Sequence, residues 1–437
     1  MGQVFIDEKG PQETIRIPNT YRDDRRINLG DDLMRSYVAD VLYIPEDSLE
    51  NVNKKYLELV ENYRNGQKNR VVKELKGIDI LKGNFNFGVA SMKEVNSSFY
   101  LNLFNMLLDA NVSNLLFSVN KMSMVIDARL THWILQMEAK RFIDSAILFK
   151  YSLTKYCELE ASEEVIRNLF DPEKTINEIL YSIQKDLKEF VAKHKNISRM
   201  RNQIAYYKKM IKDIGNGKKL ASDVVFEKVS FDWEKVSSDV DLWLSENKLN
   251  GIWQPEQSTL ILDQGIPSKP FESIGFGKIM EDKDSKEFVG LQLADMLVVI
   301  TGSYISKLAS AVRYDKSEPE KPKHLDAEWF VLEKHQFDLI SKMTEFLFGN
   351  DHIYSVIGDT YFDETHLFEM YCRYISSFSN YENYDKKKIE LHVKDMFIYL
   401  AAATNEKWEL GVQNELFARN MYGDYMTGIN EGVIRKL

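Results

Sequence analysis

"VFIDEKG", Val4–Gly10, sets three apolar residues directly against two adjacent carboxylates and closes on a glycine. Val4, Phe5 and Ile6 carry the β-branched and aromatic side chains that suit a covered, pleated surface, and they predict a short buried strand. Such a strand has no structural use for Asp7 and Glu8 at its end, because desolvating a charge is costly unless something pairs with it. A second segment repeats the pattern far along the chain: "LILDQG", Leu260–Gly265, is an apolar run ending in Asp263. In an α/β sheet functional groups gather at strand ends, where the loops leave room for ligand.

A third acid sits in "GLQLADMLVV", Gly290–Val299. On a helix Leu291, Ala294 and Val298 form a core stripe, while Gln292 and Asp295 lie one turn apart on a neighbouring face. An Asp inside so apolar a helix needs a partner, a metal or an exposed position. Three carboxylates from distant segments suit divalent-cation chemistry. Mg²⁺ and Mn²⁺ prefer hard oxygen ligands and keep other positions for water and phosphate oxygens. Two such ions can activate a water and stabilise the leaving oxygen of an in-line phosphoryl displacement.

Around these segments the pattern is mixed α/β. Strands are expected at 13–19, 36–48 and 114–122, and helices at 49–64 and 98–110; 71–83 could be strand, turn or helix start. The sheet then breaks off. The expected organisation is a core from 1–130, a helical insertion at 131–250, the core resumed at 251–313, and a C-terminal helical domain at 324–437. A charged segment at 314–326 carries Pro319 and Pro322 and reads as a linker.

The 437 residues carry a net charge of −10, which argues against a surface coated in positive charge for gripping nucleic acid. The charge is uneven, however: Lys185–Lys219 holds eleven Lys and Arg against three acids, with Tyr206 and Tyr207 among them. Basic residues interleaved with aromatics can line a strand-binding channel, and a solvated helical hairpin has the same composition. Cys157 and Cys372 are the two cysteines, too few for a disulfide framework or a cysteine zinc site. The start of the chain lacks a secretory pattern, and no stretch approaches eighteen continuous apolar residues, so a cytoplasmic protein with no membrane contact is expected. There is no P-loop and no Gly-x-Ser-x-Gly elbow. The seven histidines are dispersed, with His366 and Glu369 a lone pair. Trp233, Trp243 and Trp253 read as packing residues.

The trio "FIDEKG", "LILDQG" and "GLQLADML" resembles the family numbered 3800 among the domains of unknown function, whose members typically open with Asp-Glu-Ser-Gly. Its Gln-x-Ala-Asp signature is matched by Gln292, Ala294 and Asp295; Lys9 stands where that family usually has Ser. "ELKG", Glu74–Gly77, is similar to the segment where many members carry Glu-x-Lys. The resemblance runs from Gly2 to Leu308, interrupted by the helical insertion. It implies an RNase H-like fold related to RuvC-type resolvases, phosphoryl-transfer chemistry, and a place near bacterial phage-defence loci. It also implies Asp7, Asp263 and Asp295 as ligands of Mg²⁺ or Mn²⁺ (two ions), with Glu8 and Glu74 as further catalytic candidates.

The expected activity is therefore that of a divalent-metal-dependent nuclease acting on DNA or RNA. Lys76, Gln292, and Lys208 and Lys209 of the basic segment are the candidates for holding the strand. A restriction-type Asp…Glu-x-Lys site would use Glu74 and Lys76 with an upstream Asp, but Asp40 lies mid-pattern in its strand. The rival from another class is a non-catalytic RNase H-like sensor or interaction subunit, held by a protein partner or a second copy through the helical regions.

Overall fold

A computed structural model describes residues 2–9, 15–17, 35–66, 74–83, 85–222, 226, 229, 231, 233–249, 254–312, 317, 324–349, 356–358, 364–422 and 427. The charged segment 314–326 lies outside these, apart from Ser317 and residues 324–326. So do Trp253 and most of the strand expected at 13–19, of which Ile15 makes a single bridge to Val229.

The chain is mixed α/β. Its sheet contains β1 (Gln3–Lys9), β2 (Ser36–Ile44), β3 (Ser113–Asn120), β4 (Thr259–Asp263), β5 (Lys278–Lys283) and β6 (Val356–Gly358), in the order β5-β4-β1-β2-β3-β6. Strands β1, β2 and β3 pair antiparallel in that order; β4 lies parallel beside β1, β5 parallel beside β4, and β6 parallel beside β3. Every residue of β2 is buried. A central strand covered on both faces reads as a continuous apolar run, which is why "SYVADVLYI" lacks alternation.

The helices before β3 are α1 (Glu46–Asn65), α2 (Gly77–Leu81) and α3 (Glu94–Asp109). Between β3 and β4 come α4 (Lys121–Ala139), α5 (Ala146–Leu159), α6 (Glu163–Phe170), α7 (Ile176–His194), α8 (Arg201–Gly217) and α9 (Trp233–Leu249). After β5 follow α10 (Val289–Ala311), α11 (Lys334–Phe348), α12 (Glu364–Ser376), α13 (Tyr381–Asp385) and α14 (Ile389–Tyr422).

Side-chain alternation sorts the sheet onto two cores. Phe5, Val38, Leu42 and Leu116 face one side, where α10 lies over β1 and β2 and joins α3, α11 and α12. Val4, Ile6, Tyr37 and Phe117 face the other, covered by Trp233, Val236, Val240 and Trp243 of α9. Phe330, Ile340, Phe368 and Tyr371 of the C-terminal region belong to the same core as α10. By length and composition α10 could cross a membrane, yet 72% of its apolar window is buried inside the protein.

Helices α4 to α8 enclose a separate core, which includes Ile126, Trp133, Leu153, Ile183 and Tyr207. A buried ion network fastens it to the sheet. Asn120 ends β3 and caps α4 by accepting the Ser123 N–H (2.9 Å), while its amide donates to Glu158 of α5 (3.0 Å). Glu158 also pairs with Lys155 (3.0 Å) and with Arg35 just ahead of β2 (3.5 Å). Burial alone would raise the Glu158 carboxyl, but the two cations and the Asn120 amide hold it below the usual range.

Asp40, in the middle of β2, is fully buried and receives one hydrogen bond, from the Asn114 amide (2.6 Å). Burial pushes its carboxyl up to about 8, with Asn114 working against the rise. The folded protein therefore keeps a proton that the unfolded chain loses above a pH of about 4, so stability falls between there and about 8. Asp40→Asn should stabilise the protein at pH 7.5 by on the order of 1 kcal/mol and flatten that decline. Thermal melts of both proteins across this range check it; an unchanged slope would refute the assignment.

Candidate metal centre

Asp7, Asp263 and Asp295 come from three distant stretches of chain and meet at one edge of the sheet. Strands β1 and β4 run parallel with Ile6 beside Leu262, so Asp7 and Asp263 stand at neighbouring strand ends. A register irregularity between Ile261 and Asp263, which brings Asp263 opposite Lys283, sets the direction of the second acid. Asp295 arrives from above, on α10.

Two glycines let α10 come this close. A Cβ on Gly290 would stand 2.2 Å from the Phe5 ring, so only glycine lets α10 settle on β1. A Cβ on Gly77 would stand 2.8 Å from Cβ of Val299, and the bare backbone there lets the Gly77 N–H donate to Asp295 Oδ2 (2.8 Å). Behind Asp295 lie the buried rings of Tyr56 and Tyr100, whose hydroxyls are pushed up first by burial and then by the Asp295 charge.

The electrostatics of the three acids agree in direction. Asp7 is 8% exposed and accepts one hydrogen bond, from the Glu8 N–H to Oδ1 (2.7 Å). Burial raises its carboxyl well above the usual range, and the charges of Glu8, Asp295 and Asp263 raise it further. Asp295 and Asp263 are raised for the same first reason. The Gly77 N–H, Lys76 and Lys9 pull Asp295 back, and the Gln264 N–H and Lys76 pull Asp263 back. A nearly dry carboxyl with one hydrogen bond and three acidic neighbours is held toward its neutral form, and a cation joining it would favour the charged form.

Glu74 and Lys76 reach the same place through Ser285. The Ser285 hydroxyl donates to Glu74 (2.7 Å) and accepts from the Lys76 ammonium (2.9 Å), while Lys76 and Glu74 pair at 3.2 Å. Burial works against the Lys76 charge, but Asp295, Glu74 and Asp7 outweigh it and hold the ammonium above the ordinary lysine range. Gln292 donates to the Ser285 carbonyl (2.8 Å), tying α10 to this loop. Sequence reasoning missed Ser285, and also Asp284, whose charge raises Asp263. Their one local signal is an acidic run, "MEDKDSKE", between two better-patterned elements.

Lys208 and Lys209 stand elsewhere. Both are exposed on α8, Lys209 pairs with Asp144, and neither is among the principal charges acting on the three acids. Tyr207 is buried in the second core and Tyr206 half-buried beside it, so this pair packs helices. Asp40 is held by Asn114 and is not among the principal charges on Asp7. Among the described residues no three Asp, Glu, His or Cys side chains stand close enough to enclose an ion as they are placed. No family model matches the chain, no curated protein matches it, and no solved structure matches it.

Because burial and like charges raise the Asp7 carboxyl, ionising it in the folded state weakens the metal-free fold as pH rises past the ordinary carboxylate range. Asp7→Asn should therefore stabilise the metal-free protein by about 1–2 kcal/mol at pH 8 and by less at pH 5. Chelator-treated samples melted at the two pH values test this. A variant less stable than wild type at both would mean that Asp7 is a satisfied structural acid.

Proposed function

We propose that the protein is a divalent-metal-dependent nuclease on an RNase H-like core, hydrolysing phosphodiester bonds. One observation carries the reading: Asp7 and Asp263 stand at neighbouring strand ends with Asp295 of α10 over them, close enough for Asp263 and Asp295 to raise the Asp7 carboxyl. The order of the sheet and the resemblance of the three motifs support the same reading. Asp7 would hold both cations, with Asp263 and Asp295 completing one each and Glu8 and Glu74 as auxiliary acids. When bound, Mg²⁺ or Mn²⁺ supplies positive charge, an activated water and stabilisation of the leaving oxygen.

The remaining groups have their own work. The Lys76 ammonium, charged and half-exposed beside the acids, can hold a phosphate of the strand being cut. Ser285 fixes Lys76 relative to Glu74, and Gln292 fixes Ser285 relative to α10. The resemblance adds anti-phage defence in bacteria as the setting.

A second reading has its own support, since the acids as placed do not enclose an ion unaided. It is a non-catalytic sensor or interaction subunit, in which the acidic edge meets a cationic partner instead.

Manganese calorimetry with cleavage assays on single- and double-stranded DNA and RNA separates the two. Wild type should bind Mn²⁺ and cut at least one substrate, and Asp7→Asn and Asp295→Asn should each lose binding and about a hundredfold or more of the rate. Cleavage that survives Asp7→Asn overturns the nuclease site. Absence of both binding and cleavage in wild type favours the interaction subunit.

A further inference from the structure

Helices α7 and α8 each bury one side in the core that α4 to α8 enclose, Ile183 and Leu187 from one, Tyr207 and Ile214 from the other. Their opposite sides therefore look out together. The seam between them is fixed, because Gln184 donates to the Ile211 carbonyl (2.7 Å) and accepts from the Lys218 ammonium (2.9 Å). On the outer side Arg201, Lys208 and Lys212 of α8 are exposed and fall within about 40° of arc. Lys219 is exposed on the turn that continues α8, as are Lys188 of α7 and Lys195 at its end. These six cations form no ion pair among the described residues.

The acids of the same stretch are mostly withdrawn from it. Asp186 accepts from the Tyr156 hydroxyl and the Ser162 N–H, and Asp213 is buried, which leaves Glu189 exposed. Burial and then the Lys188 charge push the Lys218 ammonium below the ordinary lysine range, and no acid is among the principal charges acting on it. On a chain of net charge −10, this hairpin carries a local face of the opposite sign.

We propose that this face docks double-stranded nucleic acid by its phosphates. Charge complementarity names a polyanion, since a row of unpaired cations gains most where it displaces condensed counterions. From Arg201 to Lys219 the row runs about 27 Å, the length of roughly eight base pairs. A duplex fits better than a single strand, because proteins that hold single strands stack the bases on aromatic rings. Here Tyr206 and Tyr207 pack inward, and the exposed Tyr181 ring already faces the Lys218 ammonium at 5.1 Å. The inference deepens the nuclease reading by naming the form of the substrate, yet binding on this face does not require the metal centre.

Fluorescence anisotropy of the full chain with labelled DNA and RNA duplexes of about 30 base pairs, in chelator so that nothing is cut, tests it. Wild type should bind one or both with a micromolar dissociation constant at about 50 mM salt. Lys208→Ala with Lys212→Ala and Lys219→Ala should bind about tenfold more weakly or worse, with unchanged helicity by circular dichroism. Its log affinity should also fall less steeply with log salt, by about one for each lost phosphate contact. No duplex binding by wild type overturns the docking face. So does equal weakening in Lys386→Ala with Lys388→Ala, exposed cations of the C-terminal region. Tighter binding to the separated strands overturns the duplex as occupant, and binding to phosphatidylserine vesicles without binding to duplex assigns the face to a membrane surface instead. Asp7→Asn should bind duplex as wild type does, so a failure of the metal centre and a failure of this face are read separately.

Discussion

The carboxyl of Asp7, held almost out of water at the end of a buried strand, is the constraint on which the rest of the structure turns. Nothing in packing demands it: Phe5 and Ile6 already anchor β1 in both cores. The surrounding elements intensify the difficulty. The parallel register of β1 and β4 brings Asp263 alongside, and the bare backbone at Gly290 lets α10 descend until Asp295 is felt as well. Each approach adds like charge in a poorly solvated place, where screening is weakest. A fold selected only for stability would separate these groups.

The compensation that exists is partial and comes from one direction. Lys76 is the principal cation acting on both Asp263 and Asp295, and its side chain is held by Ser285 and Glu74. Lys9 adds to it at Asp295, yet the carboxyls of Asp7, Asp263 and Asp295 all stay raised. The buried network just ahead of β2 shows how the same chain treats a charge meant for structure. There Glu158 has two cations and an amide, and its carboxyl is held down. Glu158 is thus answered by cations, whereas Asp7, like the fully buried Asp40, is raised by burial with a single hydrogen bond to its carboxyl.

How much of this could be read from sequence depends on burial. Strands β1 to β4 are covered on both faces, so their apolar runs announced them, and a terminal Asp stood out against such a background. The edge strand β5 did not announce itself. In "KIMEDK" only Ile279 and Met280 are apolar, and no residue of the strand is fully buried, which leaves a loop-like composition. Ser285 had no local signal beyond the acidic run around it, because its role is set by Glu74 and Lys76, some two hundred residues away in sequence. Tyr206 and Tyr207 misled for the converse reason: basic neighbours suggested an open channel, yet helical spacing turns the tyrosines inward and the lysines out. The three-acid pattern was legible because each acid sat against a strong apolar pattern; its supporting residues were not, because tertiary contact alone defines them.

The division of the helices follows from the same sheet. Trp233 and Trp243 carry α9 back from the helical segment to close the second face, so β1 and β2 are buried on both sides. By strand alternation Asp7 shares the Phe5 face, which α10 covers. Near it Lys9, Lys76 and Asp263 are still partly exposed. The same closeness that raises the Asp7 carboxyl sets Asp263, Asp295 and Lys76 within reach of its charge, so the ionisation of any one of these acids depends on the state of the others.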